Sequence, residues 1–131
     1  MSESKAYTHL NLTDAKNLAP DFGFSEMGEV RFPNEELETE KTGFSHHRLA
    51  PGARQPFGHK HENAEEVYVV IGGSGRVKLD DELIELARLD ALRVRPEVIR
   101  NFEAGDEGME MLGFGPRHEG DGEVFPGWWT D

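Results

Sequence analysis

The sequence predicts an all-β, single-domain jelly-roll β-barrel with an N-terminal arm, and three observations predict it. At 131 residues and 14.7 kDa the chain has the size of one domain with one modest core. Its 15 glycines and 7 prolines recur roughly every eight to twelve residues, the rhythm of short strands joined by turns. The stretches between them read as strands at 29–32, 43–50, 65–71, 75–79, 83–86, 91–94, 98–102 and 109–114. That many short strands close better as a barrel or jelly roll than as an open sheet.

Residues 1–27 read as an arm. Within it, 12–18 suits a short helical turn, with Thr13-Asp14 as its cap and Pro20 as its stop. The barrel is expected over 28–118. The acidic stretch 35–40 reads as a solvated loop, because its carboxylates have no local organisation. Asp80-Asp81-Glu82 and Gly72-Gly73-Ser74-Gly75 both read as turns between strands, the second as a tight hairpin. The glycine cluster lacks the following Lys-Ser/Thr that a phosphate loop requires. Residues 119–131 form a tail whose Phe125, Trp128 and Trp129 have no periodic element to bury them, so they are expected to plug a barrel end or a dimer seam.

Fourteen basic against 26 acidic residues leave a net charge of −12. Such a surface repels phosphate backbones and anionic headgroups, which excludes nucleic acid and membrane surfaces as expected partners. With no cysteine there is no disulfide, thiolate site or cysteine nucleophile, a composition suited to the cytoplasm. No basic start leads into an apolar stretch at the N-terminus, so neither a secretion signal nor a membrane-spanning helix is expected.

The informative segment is 56–73. His59 and His61 stand two apart, which on an extended chain places both imidazoles on one face. Alone that is weak, since six histidines in this length give about 0.3 such pairs by chance. The carboxylate that follows strengthens it. In the run from Glu65 to Ile71, Glu66, Tyr68 and Val70 share one face and Glu65, Val67 and Val69 the other, so only one glutamate points inward. His46-His47 lies on an expected strand, where one imidazole faces in and one out, each read as a satisfied polar residue. His9 and His118 carry no assignment.

This segment resembles the cupin superfamily, whose first motif runs Gly, five residues, His-x-His, three or four residues, Glu, six residues, Gly. His59-Lys60-His61, Glu66 and Gly73 match its longer form, and Glu65 with Gly72 the shorter. Upstream, Gly52 stands one residue too far from His59. The second motif resembles 89–102 through Asp90, Val94, Pro96 and Val98, but Leu89 and Glu97 replace glycines and Arg100 occupies the position of the fourth ligand, a histidine. The resemblance implies a mononuclear divalent metal (Fe, Mn, Ni or Zn) on His59, His61 and Glu66, with Glu65 as the alternative. Two histidines and one carboxylate suffice for such a site. It also implies a small-molecule ligand, anionic or hydroxylated, and oxygenase or isomerase chemistry. Tyr68 would donate a proton or hydrogen bond, and Arg100 would clamp a substrate carboxylate. A homodimer through sheet edges is the expected assembly.

Arg100 sets the rival reading. A guanidinium within about 5 Å of a dication, at an effective dielectric near 20, would be repelled by about 6–7 kcal/mol. Arg100 must therefore swing away, pair with Glu65 or Glu66, or face the ion across a bound anion. If it pairs in a vacated site, the protein is a metal-free, non-catalytic barrel that binds a small ligand or regulates a partner.

Overall fold

The computed structural model describes residues 6–117 and 120–130, and His118 lies outside them. The fold is an eight-stranded antiparallel sheet that curls on itself: β1 (Gly28–Arg31), β2 (Thr42–Leu49), β3 (Phe57–His61), β4 (Glu66–Leu79), β5 (Glu82–Leu86), β6 (Ala91–Val94), β7 (Arg100–Pro116) and β8 (Gly122–Pro126). The one α-helical turn, α1 (Asn34–Leu37), falls in the acidic stretch read as loop. Asn34 Oδ1 ties it to β2 by accepting from Phe44 N–H at 2.9 Å.

Two long strands organise the molecule. β4 pairs with β7 along most of its length, and its other edge carries β6 on the first half and β5 on the second. β7 in turn pairs with β2 and meets β3 at Arg100 and His59. β8 completes the ribbon on the outer edge of β3. Alternation along β4 turns Tyr68 and Val70 into the interior, and shifts of register farther along bring Val77 in as well, where they join Leu49, Leu86, Val94, Phe102, Met109 and Met111. All-β architecture is thus met, but the strand boundaries differ in instructive ways.

Residues 72–75 do not turn. β4 runs straight through them, with shifts of register against β7 between Val70 and Gly72 and between Gly73 and Gly75. The glycines answer to a close crossing of backbones: a Cβ at Gly73 would sit 2.0 Å from Gly108 O, and one at Gly75 2.2 Å from Glu103 O. A bulge and a hairpin draw on the same residue type, and here the bulge prevails. Likewise the expected strands at 98–102 and 109–114 merge into one, β7, which begins only at Arg100. Asp80-Asp81 do form the expected tight turn, with Asp80 at φ 52° and Leu79 paired to Glu82.

β3 and β8 fall where the sequence reading places no strand. Neither has a long apolar run, and each is held by five residue pairs with the other. Trp128 packs against Gly58, close enough that a Cβ there would meet its ring at 2.8 Å. Trp129 is buried, with the guanidinium of Arg54 4.0 Å and that of Arg76 5.1 Å from its ring, so the tail's tryptophans pack on their own barrel.

The arm is docked. Asn11 caps a 3-10 turn at Leu12–Asp14, and Pro20 begins a second, Pro20–Phe22, where the sequence reading has it ending a helix; a proline's missing N–H is harmless in a first turn. Asn17 Oδ1 accepts from Val30 N–H at 3.0 Å and Leu18 N–H donates to Val30 O at 2.8 Å, which ties Asn17 and Leu18 to β1, with the adjoining Ala19 fully buried. No helix among the described residues is long and apolar enough to cross a membrane.

The close crossing at the bulge is testable. Gly73→Ala is expected to lower the unfolding free energy by about 2–4 kcal/mol in urea denaturation, from a positive φ plus a backbone that must move. Gly52→Ala, also at positive φ but with open space around it, should lose only about 1 kcal/mol. Equal losses would contradict the account.

Candidate metal centre

β3 is extended, so His59 and His61 project from one face, as alternation requires. Their rings meet edge to face with centroids 5.3 Å apart. β4 opens with Glu66, which turns inward, while Glu65 points out and pairs with Arg93 at 3.1 Å on the surface. One donor atom from each of His59, His61 and Glu66 lies within 4.8 Å of the others. The connection between the two strands is fixed by Asp121, just before β8, whose carboxylate accepts from Asn63 N–H at 3.0 Å and Ala64 N–H at 2.9 Å.

Glu66 Oε1 is the focus of the site. Tyr68 O–H donates to it at 2.5 Å and Arg100 Nη1 at 3.1 Å, and His59 Nε2 lies 3.6 Å away. His61 Nε2 is 3.1 Å from the same oxygen but off the hydrogen-bonding line, so this buried nitrogen has no hydrogen-bond partner. Burial pushes the Glu66 carboxyl up, yet its contacts with His59, His61 and Tyr68 more than reverse that and hold it well below the usual carboxylate range. Burial, with Arg100 adding to it, pushes the His59 imidazole down and outweighs the pull of Glu66. Tyr68 is pushed well up, first by burial and then by the Glu66 charge. The resting site is therefore a carboxylate, a neutral His59 and a protonated phenol, and a neutral imidazole with an ionised carboxylate is the form in which both bind metals.

Arg100 is fully buried behind this carboxylate. Its Nη2 donates to Arg95 O at 2.8 Å, and its Nη1 is on Glu66. Of the three courses open to it in the sequence, the structure shows the pairing with Glu66. A negative charge consequently stands beside the cation whose repulsion of a dication made the site doubtful.

His46 and His47 face opposite ways, and both are buried. His46 lies between Arg31 Nη1, 3.3 Å from its Nδ1, and Glu110 Oε2, 2.6 Å from its Nε2. His47 faces the interior with Nε2 2.9 Å from Ser45 Oγ, and burial, with His59 next, pushes its imidazole down to about 4. Asp121 escaped the sequence reading. Its Oδ2 lies 3.5 Å from His61 Nδ1 without a hydrogen bond, so neither ring nitrogen of His61 has a hydrogen-bond partner, and no local pattern in Gly120-Asp121-Gly122 announces a contact across 60 residues.

A cavity of about 310 Å³ opens above the three donors. His59, His61, Glu66 and Tyr68 line it together with side chains from β1, β3, β8 and the arm.

Comparison with known proteins agrees with this fold. A family profile described as the cupin domain matches residues 45–114, and the chain belongs to that family. A cupin protein from Bacteroides fragilis superposes with a TM-score of 0.70 at 24% identity, covering 89% of each chain. An oxalate decarboxylase variant of Bacillus subtilis gives 0.73 at 23% identity, covering 96% of this chain and 33% of its own. KdgF from a Halomonas species gives 0.57 at 19%, covering 70% of this chain and 80% of its own. At such identities the likeness speaks for the fold. No curated protein sequence matches.

Arg100→Met removes the buried cation and strands the Glu66 charge with fewer donors. Guanidinium denaturation is expected to show a loss of about 2–3 kcal/mol, since breaking one side of a buried pair leaves the other uncompensated. Unchanged stability would mean that Glu66 does not depend on this partner.

Proposed function

We propose that His59, His61 and Glu66 hold one divalent transition metal (Fe, Mn, Ni or Zn), and that the protein is an enzyme acting on a small molecule in the cavity above it. The observation that carries this reading is the convergence of three donors from β3 and β4, two strands that both pair with β7 and not with each other, with a buried His61 Nε2 that no hydrogen bond uses. That nitrogen costs free energy unless something fills its lone pair. Bound there, a divalent metal supplies Lewis acidity and open coordination positions for a substrate oxygen, as oxygenases and isomerases use.

The remaining work falls to the chain's own side chains. Tyr68 keeps its proton and steers Glu66 by the hydrogen bond to Oε1, so it is a positioning group with a proton in reserve. Arg100 balances the Glu66 charge from behind. It does not line the cavity, so its part is to hold Glu66 in place, with any contact to a substrate passing through that carboxylate. The apolar wall faces the donors across the cavity and limits how much of their approach is polar.

The metal-free alternative has an observation of its own, the Arg100–Glu66 ion pair at 3.1 Å, which would be the resting state of a binding barrel. Metal analysis separates the two. Protein purified without chelator is expected to carry close to one equivalent of transition metal, and His61→Ala to carry less than a tenth of that at unchanged fold by circular dichroism. Metal-free preparations of both, after incubation with each candidate ion, would establish the barrel as a non-metal binding module.

A further inference from the structure

The wall of the cavity over the donors is made by Phe22, Phe24, Met27, Val30, Phe57 and Val124. These come from the arm continuing into β1, from β3 and from β8, so the apolar lining is assembled from three separate stretches of chain. Phe24 and Phe57 stand 6.2 Å apart, tilted at 55°, and Phe22 sits at the mouth, more than half exposed. No lysine or arginine is among the described residues of the lining. Arg100, the buried cation nearby, is outside it and spends its Nη1 on Glu66 and its Nη2 on Arg95 O.

Away from the three donors and Tyr68, Ser45, His47 and Gln55 are the polar side chains that reach the wall among the described residues. His47 Nε2 and Ser45 Oγ are 2.9 Å apart, and Gln55 Oε1 accepts from Phe102 N–H at 3.1 Å. A polyhydroxylated sugar would lose its water against the apolar wall and find too few donors and acceptors in exchange, and a small dianion would find no cation away from the donor end. Size points the same way. A dry cavity of about 150 Å³ accommodates one benzene ring, so about twice that suits a fused bicyclic or a substituted single ring.

From this lining we infer that the ligand is a flat, apolar, aromatic molecule of one or two rings that presents a single oxygen, phenolic or carboxylate, to the His59–His61–Glu66 end. The inference rests on the metal-centre reading for the direction the oxygen points. The apolar fit of the ring stands on the wall itself, so the two can fail separately.

The test is calorimetric titration of the full chain, as purified and after chelator dialysis, with 2-naphthol, oxalate and gluconate as probes and metal content measured on each sample. 2-Naphthol is expected to bind at least tenfold more tightly than either oxalate or gluconate. Two variants at exposed wall positions, Phe22→Ser and Val124→Ser, should each weaken 2-naphthol at least fivefold while leaving metal content unchanged. Naphthol binding that survives metal removal and falls in both variants supports the apolar cavity even if the metal reading fails. Tighter binding of oxalate or gluconate, absence of naphthol binding, or naphthol binding that neither variant weakens would overturn the inference, whatever the metal content.

Discussion

A carboxylate taken out of water must be surrounded by groups that restore what water supplied, and the interior of this barrel is built around that requirement at Glu66. Tyr68 comes from the same strand two residues on, Arg100 from β7, and His59 and His61 from β3. Contacts from His59, His61 and Tyr68 hold the carboxyl ionised against the opposing effect of burial, and Arg100 donates to the same oxygen. None of the three strands could shift by one residue without reversing which side chains face inward. Sheet register and site electrostatics are therefore a single constraint.

That constraint explains a departure from the family motif. Arginine at the position of a fourth histidine cannot ligate a metal, yet it need not destroy the site, because it stands behind the carboxylate and neutralises it. In a chain this acidic, a buried guanidinium also lessens the accumulation of negative charge around the donors. The arm then adds what the barrel lacks: Phe22, Phe24 and Met27 raise an apolar rim over a polar floor, and Asn17 and Leu18 pin that rim to β1. A polar floor under an apolar wall is the usual arrangement of a small-molecule site.

Much of this was legible in the residues. His59 and His61 share a face because strands alternate, and the same rule left only one of Glu65 and Glu66 free to join them. What stayed hidden was long-range. Asp121 reaches Asn63, Ala64 and His61 across about 60 residues, and β8 exists by virtue of its pairing with β3. Gly72–Gly75 was misread for a different reason, since a glycine that lets two backbones cross looks, in sequence, like one that lets a chain turn. The aromatic wall was illegible too, because Phe22 and Phe24 meet Phe57 and Val124 only after the arm folds over the barrel.

The central claim is that His59, His61 and Glu66 meet around one ion, and anomalous diffraction tests it most directly. Crystals grown with manganese or zinc and measured across the absorption edge should show one strong peak within about 2.3 Å of a ring nitrogen of each histidine and of a Glu66 oxygen. A featureless map at that point, with the Arg100 guanidinium still on Glu66, would contradict the account.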